Sequence, residues 1–173
     1  GREGGRYKSV PSEVRSFRDF RTSLPTLVHT YTSIYLHVVF ATWNRRPLLA
    51  APFRPRVHAY IATTARNRGV EYVHVGGHDD HVHLLGRFDP ACSPSTVIGE
   101  IKQAATYWLH AENVPEFKWQ RGFSAFSVSR DRVPVVVRYI QRQEEHHRKR
   151  TFREELERLL RAHGMRFEDA HLL

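Results

Sequence analysis

Apolar and polar positions along the chain divide it into a short series of strands and helices. Residues 33–43 carry Ile34-Tyr35-Leu36-His37-Val38-Val39-Phe40-Ala41, rich in β-branched and aromatic side chains and apolar on both faces. Such a run predicts a strand in the middle of a sheet. It ends at a turn, Asn44-Arg45-Arg46-Pro47. Over residues 53–68 the apolar residues Phe53, Val57, Tyr60, Ile61 and Ala65 recur at helical spacing, and Gly69 follows as a stop. Residues 70–75 read as a second strand, broken by Gly76-Gly77, and a third runs through His81 and His83 to Phe88. The two together make a hairpin.

Ser93 and Pro94 open the next helix as cap and first helical residue. Its apolar face is Val97, Ile98, Ile101, Ala105, Trp108 and Leu109, with Lys102 and His110 off that stripe. Residues 117–127 alternate around Trp119, Phe123 and Phe126, which predicts a further strand or extended segment. A helix capped by Asp131 would place Pro134 in its first turn, where the missing N–H loses no partner, and would run over residues 135–147. Thr151 with Glu154 three residues on forms a capping box for a last helix that buries Phe152, Leu156, Leu159 and Leu160 and stops at Gly164. The order strand, helix, strand, strand, helix, strand, helix, helix predicts an α+β fold: an antiparallel sheet with helices packed on one face.

Composition narrows the class of partner. The chain has 173 residues with a net charge of +9, which favours a polyanion such as nucleic acid over an anionic membrane surface. Arginine greatly outnumbers lysine, which suits forked contacts to phosphate. No stretch is long and apolar enough to span a bilayer, and the single cysteine, Cys92, suits a reducing cytoplasm. Residues 1–28, with scattered Arg2, Arg6, Arg15, Arg18 and Arg21 and no sustained period, read as a disordered basic extension; a short amphipathic helix over residues 14–20 is the alternative. Residues 29–173 form the domain.

Candidate chemistry lies in two stretches. Alternation along a strand puts His81 and His83 on one face, roughly 6–7 Å apart, within reach of a single metal ion. A His-x-His pair alone is a weak signal in a chain with twelve histidines. The late helix adds Tyr139 and Gln143, four residues apart and therefore on one face. Two imidazoles and the Gln143 amide oxygen could hold a metal that polarises a phosphodiester. The Tyr139 phenol could then attack in line and become joined to the phosphate. With an ordinary pKa near 10, that phenol needs a positive site to lower the cost of its ionisation.

These residues carry a resemblance. His81-Val82-His83 on a strand and Tyr139-Ile140-Gln141-Arg142-Gln143 on a late helix resemble the single-tyrosine transposases of the HUH superfamily, the IS200 type with its REP-associated relatives. Glu144-Glu145-His146-His147-Arg148-Lys149, the helix from Phe152 to Glu155, Asn44-Arg45-Arg46-Pro47-Leu48-Leu49 and Trp119-Gln120-Arg121-Gly122-Phe123 also resemble family sequence. The likeness runs from His29 to the C-terminus. It implies a ferredoxin-like or RRM-like transposase fold, and a dimer acting on single-stranded DNA beside hairpin or palindromic ends. It further implies a 5′-phosphotyrosine intermediate and a divalent metal, Mg or Mn. By position, His81, His83 and Gln143 would be the metal ligands and Tyr139 the nucleophile.

Arg45, Arg46, Lys102, Arg121, Arg148, Lys149 and Arg150 are the candidate DNA contacts, and Arg45 and Arg46 read equally well as solvated surface. His146 and His147 read as helix-end cations and Asp80 as a turn residue able to orient a histidine. Gly86 and Arg87 stand where the family resemblance leads one to expect apolar residues, and Gln103-Ala104-Ala105 where it leads one to expect small Gly and Ser. Two other functions stay open: a domesticated protein that grips hairpins with little or no cleavage, and a hydrolase that uses the histidines and a water.

Overall fold

Val38, Phe40, Val82 and Leu84 alternate along two adjacent strands and send their side chains to one face of the sheet, where each is 2 % exposed or less. The computed structural model describes residues 31–168; the extension at residues 1–28 and the alternative helix at 14–20 lie outside them. The elements run β1 (Ile34–Ala41), α1 (Arg54–Asn67), β2 (Glu71–Gly77), β3 (His81–Phe88), α2 (Pro94–Ala111) and β4 (Ser124–Val128). Three short helices follow: α3 (Val133–Gln141), α4 (Gln143–His147) and α5 (Phe152–Ala162). One 3-10 turn, Trp43–Arg45, follows β1. All strand pairs are antiparallel and the order is β2-β3-β1-β4. A β-α-β-β-α-β chain folded in that order is the ferredoxin-like arrangement, so the expected α+β sheet and helices are present.

The main core lies between the sheet and α1 and α2. Val57, Ile61 and Ala65 of α1 and Ile98, Ile101, Ala105 and Leu109 of α2 are fully buried against Val38, Phe40, Val82 and Leu84. Each such Val, Leu or Ile contributes about 1.5–3 kcal/mol by leaving water. Phe53, Trp108 and Tyr60 stack in sequence between the two helices, with ring centroids 5.5 and 5.0 Å apart. The opposite face is not left open. A smaller cluster of Val39, Ala41 and Phe126 receives Phe152 and Leu160 of α5, so helices lie on both sides of the sheet and the C-terminal ones cover the face that carries the histidines.

Four local expectations are redrawn. Gly76 and Gly77 lie inside β2 instead of breaking it. A Cβ at Gly76 would come within 2.6 Å of the Ile140 carbonyl oxygen, so the missing side chain lets α3 settle on the edge strand. Gly86 has a similar reason, since a Cβ there would meet Val70 at 2.2 Å. The predicted helix over 135–147 is broken at Arg142 (φ −102°, ψ 22°) into α3 and α4, and its cap is Arg132, one residue beyond Asp131. Pro134 does fall in the first turn. The strand expected over 117–127 is confined to β4, and Trp119 joins the sheet only through an isolated bridge to Thr42.

Candidate active site

Two adjacent central strands and the three short helices bring the polar groups together. His81 and His83 project from β3 on the α3–α5 side, and both are fully buried. Val82 and Leu84, between and beyond them, face the main core. The capping box at Thr151 forms as read: its hydroxyl accepts from the Glu154 N–H at 3.3 Å, and the Glu154 carboxylate accepts from the Thr151 N–H at 2.8 Å. That fixes the start of α5. Phe152 then stacks on the His81 ring at 4.3 Å, and Glu155, one turn on, turns inward beneath the histidines.

Donor atoms converge there. His81 Nε2 lies 3.3 Å from Gln143 Oε1 and 3.8 Å from Glu155 Oε2. His83 Nε2 lies 3.5 Å from Glu155 Oε1. His147 Nε2 lies 3.0 Å from both Gln143 Oε1 and Glu155 Oε2. Among the described residues, donor atoms of His81, His147 and Glu155 sit within 4.8 Å of one another. Ligands on one ion at ~2.0–2.2 Å stand roughly 3.0–3.5 Å apart, so this spacing suits a shared cation.

The hydrogen bonds test that fit independently. His81 Nδ1 is 2.7 Å from the Asp80 carboxylate, so the proton of the neutral ring belongs on Nδ1. Burial alone would raise the Asp80 carboxyl, but the His81 hydrogen bond and the Arg45 guanidinium beside it outweigh it and hold it below its ordinary pKa. In that tautomer the Nε2 of His81 faces the Gln143 oxygen at 3.3 Å with a lone pair, which a shared cation would satisfy. His83 Nε2 is buried with no hydrogen-bond partner. Converging lone pairs and an orphaned imidazole nitrogen are what a cation site leaves when described by protein atoms alone. Burial also lowers the pKa of His83, which favours the neutral, ligating ring.

Tyr139, half-buried on α3, sets its ring edge-on to His83 with centroids 5.8 Å apart. Its hydroxyl donates to Glu155 Oε1, and Gln143 Nε2 donates to the same oxygen at 2.9 Å. Burial first, then the Glu155 charge, pushes the phenol well above its ordinary pKa. Burial would likewise raise Glu155, but its contact with His147 at 3.0 Å and the His83 ring at 3.5 Å outweigh it and hold the carboxyl far below the usual range. The pair is therefore a neutral phenol on a carboxylate.

The structure thus brings His81, His83, Gln143 and Tyr139 together in one chain. The sequence reading missed three neighbours: Glu155, His147 as more than a helix-end cation, and His37, whose Nε2 is 2.9 Å from His83 Nδ1. It also missed Arg54, buried under α4, which pairs with Asp79 at 2.5 Å and Glu144 at 3.1 Å and donates to the Leu49 carbonyl. Arg54 ties the turn before His81 to the residue after Gln143.

The candidate DNA contacts divide. Arg45, Arg148, Lys149 and Arg150 line one cleft of about 560 Å³ that also reaches His147 and Asp80. Arg45 lies over the Phe152 ring at 5.1 Å and 3.9 Å from Asp80. Arg46 is exposed. Arg121, also exposed, borders a second cleft beside Gly122 and Phe152. Lys102 gives two of its N–H groups to the carbonyls of Gln120 and Gly122, each at 2.7 Å, and so pins that loop to α2.

Comparison with known proteins was consistent with this architecture. A family model described as "Transposase IS200 like" matches residues 30–143. A solved structure from Deinococcus radiodurans R1, of a protein named as a candidate transposase, superposes with a TM-score of 0.55 at 19% identity, covering 69% of this chain and 98% of that one. A REP-associated tyrosine transposase bound to a REP hairpin gives a TM-score of 0.52 at 20% identity, covering 72% and 74%. At such identities these two likenesses establish the fold. No curated protein sequence matches the chain.

Proposed function

The chain belongs to the IS200-like transposase family, and from that premise we propose that it nicks and rejoins single-stranded DNA at hairpin ends through a tyrosine–phosphate link. The observation that carries this reading is the meeting of Tyr139 with His81, His83, Gln143, Glu155 and His147 in one buried cluster. His81, His83 and Gln143 would hold a divalent metal, with Glu155 and His147 in reach of the same point. Three imidazoles, an amide and a carboxylate favour a borderline ion, so Mn is the better probe than Mg. When bound, the metal supplies positive charge to a phosphate oxygen and to the phenol.

The chain's own groups do the rest. The Tyr139 oxygen forms a bond to phosphorus as the bond to the 3′ oxygen breaks, which leaves a 5′-phosphotyrosine and a free 3′-hydroxyl. The phenolic proton passes to Glu155, which already accepts that hydrogen bond, and the leaving 3′ oxygen takes up a proton from water to become the hydroxyl. Rejoining reverses these steps and needs no external energy. Arg45, Arg148, Lys149 and Arg150 offer the strand a basic cleft beside the site. The hairpin-bound relative supports a hairpin substrate. A second copy of the chain would bring two DNA ends together in a dimer, and the reducing cytoplasm is the proposed compartment. Among the described residues no helix is long and apolar enough to cross a membrane.

The test is incubation with Mn and a single-stranded hairpin oligonucleotide, followed by denaturing electrophoresis. Wild type should retain a covalent 5′ adduct and Tyr139→Phe should not, while binding persists. Hairpin binding without any adduct would point to the domesticated binder, and product release without retention to the hydrolase.

A further inference from the structure

We infer that Arg54 is a positioning residue: its guanidinium forks between Asp79 and Glu144 and so fixes the spacing between His81 and Gln143; the inference rests on the metal reading above. The placement of this arginine is costly on two counts. It is the first residue of α1, at the positive end of that helix's dipole, and it is 6% exposed. A cation there needs specific partners, and it has three. One guanidinium nitrogen is 2.5 Å from the Asp79 carboxylate, a second is 3.1 Å from that of Glu144, and Nε donates to the Leu49 carbonyl at 3.1 Å. A planar fork reaches three directions at once, whereas a lysine ammonium is a point charge on a flexible stem.

The two carboxylates lead to the site by different routes. Leu49 accepts from Arg54 and donates its own N–H to the Asp79 carbonyl at 2.8 Å, which closes a ring around the turn before β3. Asp80 follows, its carbonyl accepting from the Thr42 N–H at 2.8 Å and its carboxylate on His81. Glu144 follows Gln143 directly, just past the break at Arg142. The five residues of α4, Gln-Glu-Glu-His-His, are all polar, and Gln143 alone among them is buried. Apolar packing therefore cannot seat α4, and Gln143 borders a cavity of about 220 Å³ that Arg54 and Glu144 also line. Polar links have to hold it: His147 and Gln143 on Glu155, and Glu144 on Arg54. The last is the link that reaches, through Asp79, the turn before His81. Without it Gln143 is free to drift from His81, where its oxygen now stands 3.3 Å from Nε2.

Charge and position predict opposite signs. Arg54 repels a cation, so if it acted through its field alone Arg54→Gln would tighten Mn binding. As a positioning residue its loss should weaken Mn binding about tenfold or more, measured by titration calorimetry. The double variant with Glu144→Gln should bind no more weakly than Arg54→Gln alone, since both break one link. Hydrogen exchange of the Gln143 side-chain amide, which donates to Glu155 at 2.9 Å, gives a reading in metal-free protein by NMR. It should quicken in Arg54→Gln and stay slow in Arg56→Gln, which breaks an ion pair from the same helix to Glu112 at 2.7 Å. If Arg54→Gln does not fold, Glu144→Gln, at a side chain 71% exposed, should show the same quickening. Tighter or unchanged Mn binding by Arg54→Gln would overturn the inference, as would a lower urea midpoint with affinity and exchange both unchanged. A wild type that binds no Mn would instead sink the metal reading, and the amide exchange would still decide the role of Arg54.

Discussion

Gly76 of β2 touches the backbone of Ile140 in α3, and the contact leaves no room for a Cβ: one built there lies 2.6 Å from the Ile140 oxygen and 2.7 Å from its Cγ2. The residue before Ile140 is Tyr139, so this glycine sets how closely the helix of the proposed nucleophile approaches the sheet. Gly76→Ala should cost about 1–3 kcal/mol, as overpacking does, and should lower the rate of adduct formation by pushing α3 outward. Gly99→Ala is the control. It stands exposed in α2 with nothing within 4 Å of the added Cβ, and should be neutral or stabilising by up to ~1 kcal/mol. Denaturant midpoints and single-turnover adduct yields check both. Equal yields for Gly76→Ala and wild type would deny the glycine its seating role.

Glu155 both raises the Tyr139 phenol and accepts its hydrogen bond. Glu155→Gln keeps the size and removes the charge. The direction follows from the sign of that charge: without the anion, Tyr139 should ionise at lower pH than in wild type, read by ultraviolet difference titration in metal-free buffer. Mn affinity should drop about tenfold or more, and adduct yield with it, because a ready ionisation does not replace the acceptor. A Tyr139 titration that does not move would mean the carboxylate does not govern the phenol.

Both site motifs sit in one chain, with Tyr139 against its own His83. In a dimer the tyrosine helix of one subunit could instead serve the partner's histidines, and the two arrangements separate by complementation. A mixture of Tyr139→Phe and His83→Ala proteins forms one intact composite site only if helix and histidines come from different subunits. The seating on Gly76 leads us to expect no recovery of adduct from the mixture. Recovery to a substantial fraction of wild-type yield would establish exchange between subunits.

Much of this was legible in the sequence, for physical reasons that differ by residue. Strand alternation put His81 and His83 on one face, and helical spacing put Tyr139 with Gln143. These are local rules, and they survived even the break at Arg142, since both side chains still reach Glu155. Glu155 was passed over because Glu154 beside it took the capping role. Yet Glu155 lies three residues after Phe152 and four before Leu159, on the apolar face of α5. A charge on that face was a visible sign of a buried partner. His147, four residues after Gln143, continues the Tyr139 face in the same way. His37 interrupts an apolar central strand, again a polar group where only a specific contact makes burial tolerable. What no local pattern shows is which sheet face the last helices cover. That depends on long-range docking of α5 on Val39, Ala41 and Phe126.

Two histidines, the buried His37 and the half-buried His58, should make the fold acid-sensitive well above the carboxylate range. Burial, then His83, lowers His37 to about 3. Burial, then Arg54 with His81 and His83, lowers His58 to about 4. Both sit below the ordinary histidine value of 6.5, so the native state stays neutral while the unfolded chain takes up protons as pH falls through 6.5. Stability is fully present above that value and is lost on the way down, to about pH 4 for His58 and about pH 3 for His37. Asp80 and Glu155 have lowered values too, but their contribution is lost only below the ordinary carboxylate range, so the limb between pH 6.5 and 4.5 belongs to the histidines. His58 separates most cleanly, because its Nε2 is buried without a partner and its removal breaks no bond there. Urea midpoints with EDTA across that interval should fall in wild type and fall less in His58→Leu, the difference amounting to about 2 kcal/mol at the acid end. Parallel curves would show that His58 is protonated equally in both states.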